Sequence, residues 1–198
     1  MTALVHAQTI SVVPNPSKPD IFAWTGGGAV SGYTGTPIEL NGSLVLEYNP
    51  TGTSDLTQVK LQLAVYKGGD SLHLVPNPDN GQGVYFNSIQ IVFQSKLFFI
   101  YLDASGVQRL ASFDGTSITL YPNPDASTTG YLGSPRILNN ELYLAYQNVA
   151  GVTQIGKFTG SGISLIPNPD NSSRGFFNNY SLVFNNQICS RYVNCRRP

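Results

Sequence analysis

Residues 130–170, GYLGSPRILNNELYLAYQNVAGVTQIGKFTGSGISLIPNPD, hold one full copy of the pattern that decides the fold. Its apolar side chains alternate at period two: Leu142, Leu144 and Tyr146 fall to one side, Tyr143 and Ala145 to the other. Turn-forming groups, Asn139-Asn140 and Gly160-Ser161-Gly162, cut the stretch into short runs. Four strands follow, around residues 135–138, 141–146, 154–158 and 163–166. No segment has helical periodicity. The copy closes on Pro167-Asn168-Pro169-Asp170. The first proline has no donor for a sheet ladder and holds the residue before it extended. Asn168 is held extended between two prolines, and Asp170 can close an Asx turn.

Working outward, Pro-Asn-Pro recurs at Pro14, Pro76, Pro122 and Pro167, at intervals of 62, 46 and 45 residues. Other landmarks keep its phase. An aromatic follows each tripeptide (Tyr33, Tyr85, Tyr131, Phe176), and a tyrosine comes 15 or 16 residues later (Tyr48, Tyr101, Tyr146, Tyr192). Pairs such as Leu63-Ala64, Leu110-Ala111 and Ile155-Gly156 come next, and an alternating run leads back into Pro-Asn-Pro. The long first interval is an ordinary repeat with two longer loops, around residues 22–28 and 51–55. Where both strand faces are apolar, as in Leu97-Phe98-Phe99-Ile100-Tyr101, a sheet must be covered on both sides.

Four strands per unit at a period near 45 predict an all-β chain, a β-propeller of four blades, each of four antiparallel strands. The rival is a linear β-solenoid, whose coils are usually shorter. The chain opens on a final-type strand, residues 9–13, and finishes on first- and second-type strands, 181–184 and 187–193. A ring closed by the N-terminal strand uses both ends. The units are then 17–78, 79–124, 125–169, and 170–198 together with 1–16, in one domain. The ending, residues 189–198, departs from the pattern, which leaves open a longer propeller of which this chain is a part.

Composition narrows the function classes. Only 11% of residues are charged, against roughly 25% in ordinary domains. The net charge is zero, so no basic face speaks for nucleic acid. No apolar run reaches the roughly 20 residues of a membrane span. The two histidines, His6 and His73, and three scattered glutamates, Glu39, Glu47 and Glu141, make no catalytic pair or triad. His73 reads as an exposed strand residue. Gly26-Gly27-Gly28 lacks the lysine and the strand–helix setting of a phosphate loop. An enzyme is therefore the less favoured class, represented by a propeller hydrolase or lyase with a rim or axial site.

The unit Gly-Tyr-x-Gly-Ser-Pro…Asn-x-x-Leu-Tyr…Tyr…Phe-x-Gly-x-x-Ile-x-Leu-x-Pro-Asn-Pro-Asp, fullest at 130–170, resembles the repeats of bacterial secreted or surface β-propeller-like proteins. The resemblance covers about residues 9–192. It implies an extracellular binding or adhesion role; a module that binds glycans or a protein partner is the leading expectation, and a purely structural repeat domain of a larger surface protein is the alternative. It carries no catalytic motif onto this chain. The start, Ala3-Leu4-Val5-His6-Ala7-Gln8, reads either as the tail of a signal peptide or as an ordinary strand. Secretion or display on the cell surface is the expected location, and a monomer the expected state. Cys189 and Cys195 are a disulfide or two free thiols. Sequons at Asn41, Asn171 and Asn179 are what chance gives in an Asn- and Ser-rich chain.

The candidate site residues each have two readings. Asn15, Asn77, Asn123 and Asn168, with Asp79, Asp125 and Asp170, are either corners between blades or a ring of sites on one rim. In the second case their amides and carboxylates suit sugar hydroxyls or Ca²⁺. Ser17 replaces the aspartate in the first copy. No cofactor is expected, and no specific motif calls for Ca²⁺. Tyr33, Tyr85, Tyr131 and Phe176 are packing residues or stacking platforms for sugars. Tyr48, Tyr101, Tyr146 and Tyr192 are expected to pack between blades, each hydroxyl finding a partner. Trp24, on its Gly-rich loop, is either a plug or the best single contact for a partner.

Overall fold

The computed structural model describes residues 32–50, 60–69, 72–79, 81, 83–168, 182–184 and 187–189. They form an all-β structure of three four-stranded antiparallel sheets and one hairpin. The first sheet is β1 (Gly32–Leu40), β2 (Ser43–Asn49), β3 (Gln62–Tyr66) and β4 (Leu72–Val75). The second is β5 (Gly83–Phe93), β6 (Lys96–Leu102), β7 (Gln108–Phe113) and β8 (Ile118–Leu120). The third is β9 (Tyr131–Leu138), β10 (Glu141–Gln147), β11 (Thr153–Phe158) and β12 (Ile163–Ile166). The hairpin pairs β13 (Leu182–Phe184) with β14 (Gln187–Cys189). Strand order is sequential in every sheet, so each of the three four-stranded sheets is one meander. The expected strand at residues 9–13 lies outside the described residues.

Local sequence explains the tight turns. The first hairpin of each sheet turns on two residues with positive φ: Asn41-Gly42, Gln94-Ser95 and Asn139-Asn140. Such two-residue turns match the right-handed twist of the strands they join. Asn and Gly enter this region cheaply, whereas Gln94 (φ 49°) and Ser95 (φ 59°) do so at a cost.

The first strand of each sheet is longer than its alternation predicts, and irregular. In the third sheet pairing runs back past residue 135 to Tyr131, through Gly133 at φ 104°. The register shifts between Thr34 and Ile38 in β1, between Tyr85 and Gln90 in β5, and twice in β9. Pro37 and Pro135 sit in these irregular stretches, where a missing N–H disturbs no ladder bond.

The bulges also alter one predicted equivalence. Tyr33 stands opposite Tyr48, and Tyr131 opposite Tyr146, but Val84 rather than Tyr85 stands opposite Tyr101. Tyr85 is opposite Ile100. A slip of one residue exchanges the faces of a strand, so Val84 holds the place that Tyr131 holds in its own sheet.

The first two sheets bury both faces, and the third buries the face it turns to the second. One cluster joins Val45, Leu63 and Val65 of the first sheet to Leu97, Phe99, Tyr101 and Phe113 of the second. Another joins Phe93, Phe98, Ile100 and Leu110 of the second to Leu142, Leu144 and Tyr146 of the third. The opposite face of the first sheet, Leu46, Tyr48 and Ala64, makes a third cluster. Strands β1, β5 and β9 adjoin one another in turn, and the β13–β14 hairpin lies against β9.

Candidate functional site at the Pro-Asn-Pro-Asp corners

The corners join the last strand of one sheet to the first strand of the next, and their two polar residues face in opposite directions along the chain. The asparagine reaches back. Asn77 Nδ2 donates to the Leu61 carbonyl (3.1 Å), Asn123 Nδ2 to Gln108 (2.9 Å), and Asn168 Nδ2 to Thr153 (2.9 Å). Each acceptor lies at the start of the third strand of the sheet just completed. Asn123 Nδ2 also donates to Ser127 O (2.9 Å), folding the corner on itself.

The aspartate reaches forward. Asp125 Oδ1 accepts from the Tyr146 hydroxyl (2.6 Å) and from Ser127 N (3.0 Å), and Oδ2 from Val149 N (2.7 Å). Asp79 repeats this set. Its Oδ1 accepts from the Tyr101 hydroxyl and from Gly81 N (2.7 Å), and its Oδ2 from Ala104 N (3.0 Å). The bonds from Gly81 and Ser127 are the Asx turns that the sequence predicts. The phase-locked tyrosines Tyr101 and Tyr146 thus find their hydroxyl partners in the corner aspartates.

Burial pushes the Asp79 and Asp125 carboxyls up, but the tyrosine hydroxyl and the backbone N–H donors outweigh it and hold both below the usual carboxylate range. Burial, then the adjoining carboxylate, pushes the Tyr101 and Tyr146 hydroxyls well above the usual tyrosine value. Both carboxylates are ionised at neutral pH and spent on O–H and N–H donors, which a cation would have to displace. Among the described residues no three His, Cys, Asp or Glu side chains are grouped as a metal ion requires.

A second layer, which the alternation and the aromatic landmarks do not reveal, braces these clasps. Asp103 Oδ1 accepts from Ser105 N and Val107 N (2.9 Å each), and its Oδ2 pairs with Arg109 Nε (2.6 Å). In the next unit Asn148 Oδ1 accepts from Ala150 N (3.1 Å) and Val152 N (2.9 Å), and its Nδ2 donates to Gln154 Oε1 (3.3 Å). A charged pair in one unit is an amide pair in the next. Burial pushes Asp103 up, but N–H donors from Val107, Arg109 and Ser105 leave it below the usual range. The signal was present in sequence, as Asp103-Ala104-Ser105-Gly106-Val107 against Asn148-Val149-Ala150-Gly151-Val152, two residues after each tyrosine.

Two glycines let the clasps close. Gly83, at φ 95°, lies against Leu61 O and the Asn77 amide, where a Cβ would collide with both. A Cβ on Gly130 would enter the Tyr146 ring.

Of the predicted site residues, Asn77, Asp79, Asn123, Asp125 and Asn168 are brought together with the sheets they join, and not with one another. Tyr131 is 5% exposed, its ring edge-on to Tyr146 at 5.1 Å. Burial pushes its hydroxyl far above the usual tyrosine value. Trp24, Phe176, Asp170 and Asn15 lie outside the described residues, as do the side chains of Tyr33 and Tyr85. His73 is exposed on β4.

At the hairpin ends of the strands, a groove of about 200 Å³ lies between the first two sheets, over Leu40, Val45, Val65 and Phe113, with Lys67 and Asp114 on its walls. Its apolar floor is already buried. No protein-family pattern matches the chain, and comparison with curated proteins finds no significant relative.

Proposed function

We propose that the chain is a β-propeller whose sheets stand radially about an axis, with the N-terminal strand, residues 9–13, completing the sheet begun by β13 and β14. The observation that carries this reading is the sequential contact of β1, β5, β9 and the β13–β14 hairpin, while successive sheets pack face to face. That is how blades sit around an axis, with their first strands innermost. The spacing of Asp170 and Tyr192 in the last unit, 22 residues, equals that of Asp79 and Tyr101. The same clasp is therefore available to it.

The function proposed is that of a non-enzymatic repeat module that presents rim loops to an extracellular partner, a glycan or a protein. Support comes from how the repeated polar groups are used. Corner amides and carboxylates turn inward onto the scaffold, so recognition falls to loops that the scaffold does not need. The loop bearing Trp24 is the foremost of these. The resemblance to secreted propeller-like repeats favours the same location and role.

Removal of residues 1–16 tests closure. It is expected to lower the unfolding midpoint of the whole domain, because it leaves a sheet edge unpaired. An unchanged midpoint would sink the ring. For recognition, a glycan array probed with wild type and Trp24→Ala should show binding that the variant loses. Binding that the variant keeps would move the partner away from that loop.

A further inference from the structure

The geometry points to a buried water as a built-in ligand of the Pro-Asn-Pro corners at Asn77 and Asn123, held by the side-chain oxygen of the asparagine. At the corner between Pro122 and Pro124 both amide hydrogens of Asn123 are committed, to Gln108 O and Ser127 O at 2.9 Å each. Only an NH₂ group can serve two carbonyls, so the orientation of this amide is determined by its partners. Its Oδ1 is then turned into the corner, where it is buried and no protein donor reaches it. One unit earlier Asn77 Nδ2 serves a single carbonyl, Leu61 O, and its Oδ1 is likewise buried without a protein donor.

The flanking residues explain why the chain cannot supply that donor. Pro76 and Pro78, and Pro122 and Pro124, have no N–H, so the corner removes its own nearest backbone donors. A buried acceptor left unpaired costs about 1–3 kcal/mol, and the same debt at two equivalent corners is not an accident of one loop. Water is the one donor that fits. These oxygens are closed to solvent, so a hydroxyl carried on a sugar ring cannot enter.

This assigns Asn77 and Asn123 a double task that neither Asp nor Ser can perform. It donates to the carbonyls of the finished sheet, and it accepts from a water that the prolines make necessary.

Water–protein cross-relaxation on the ¹⁵N-labelled full chain tests the proposal. Side-chain amide protons of both Asn77 and Asn123 should show a water cross-peak of the sign that long-lived water gives. A crystal structure should place a water about 2.8–3.0 Å from each Oδ1. A crystal structure of Asn123→Leu should lack the water between Pro122 and Pro124 and keep the one at Asn77. Should that variant fail to fold, the wild-type spectra decide alone. Absence of the cross-peak at both corners, or a protein donor found on either Oδ1, would overturn the proposal. Water at one corner only would equally overturn it as a property of the repeat.

Discussion

Asp125 shows how one residue secures a joint between two sheets. Its carboxylate closes the corner through Ser127 N and grips the following sheet through Tyr146 and Val149. A hydrogen bond to an ionised group is worth about 1.5–3 kcal/mol when well sheltered. This one is partly exposed, so a double-mutant cycle of Asp125→Asn and Tyr146→Phe should return a coupling of about 1 kcal/mol. Additive effects in denaturant titrations would mean that the clasp contributes nothing of its own. The same carboxylates govern the response to acid. Asp79, Asp103 and Asp125 all have folded pKa values below their unfolded ones. Their stabilisation is present above the unfolded value, about pH 3.9, and is lost as pH falls through the folded values. The unfolding midpoint should therefore drop below about pH 4, and Asp79→Asn with Asp125→Asn should flatten that limb. An unaltered acid limb in the double variant would place the effect elsewhere.

Elements reuse the same geometry with different chemistry. The turn after β6 is braced by Asp103 and Arg109, and the turn after β10 by Asn148 and Gln154. Arg109→Gln alone strands a carboxylate that is 7% exposed, and should cost about 1–3 kcal/mol. Adding Asp103→Asn recreates the amide pair of the next unit and should bring stability back to within about 0.5 kcal/mol of wild type. A double variant no better than the single would show that the two turns are not interchangeable. The hairpin between β5 and β6 offers a gain. Replacing Gln94-Ser95 by Asn-Gly puts the favoured residues at positive φ and should stabilise by about 0.5–1 kcal/mol in thermal unfolding. The bond from Asn41 Nδ2 to Ser95 O (3.3 Å) uses only the backbone oxygen of residue 95 and is kept.

At the scale of the whole molecule the two junctions between sheets differ. Between the second and third sheets Phe98 and Tyr121 each meet Phe158 edge-on at 4.9 Å, with Phe93 at 6.0 Å from Phe98. Ser112 Oγ meets the Tyr121 hydroxyl at 2.9 Å. At the corresponding places between the first and second sheets stand Leu40, Val45 and Val75, and the groove opens there. Larger rings bury more apolar surface at roughly 25 cal/mol per Å². Amides of β1–β4 should therefore exchange by a lower-energy opening than those of β5–β12. Equal protection in native-state exchange would remove the distinction.

The four strands of the three described sheets and their turns were legible in the chain, because alternation and turn chemistry are local: each run such as Leu142-Tyr143-Leu144-Ala145-Tyr146 states its own conformation. Pro-Asn-Pro-Asp was equally legible as a corner, since proline acts on its immediate neighbours. What the asparagine and aspartate grip was not, because Asp79 meets Tyr101 and Asn123 meets Gln108 across 22 and 15 residues of sequence. Only the folded sheets bring those groups within bonding distance. The exchange of Val84 for Tyr85 opposite Tyr101 had the same origin. A bulge shifts the register without any mark in the alternation, and the partner strand decides which residue faces it.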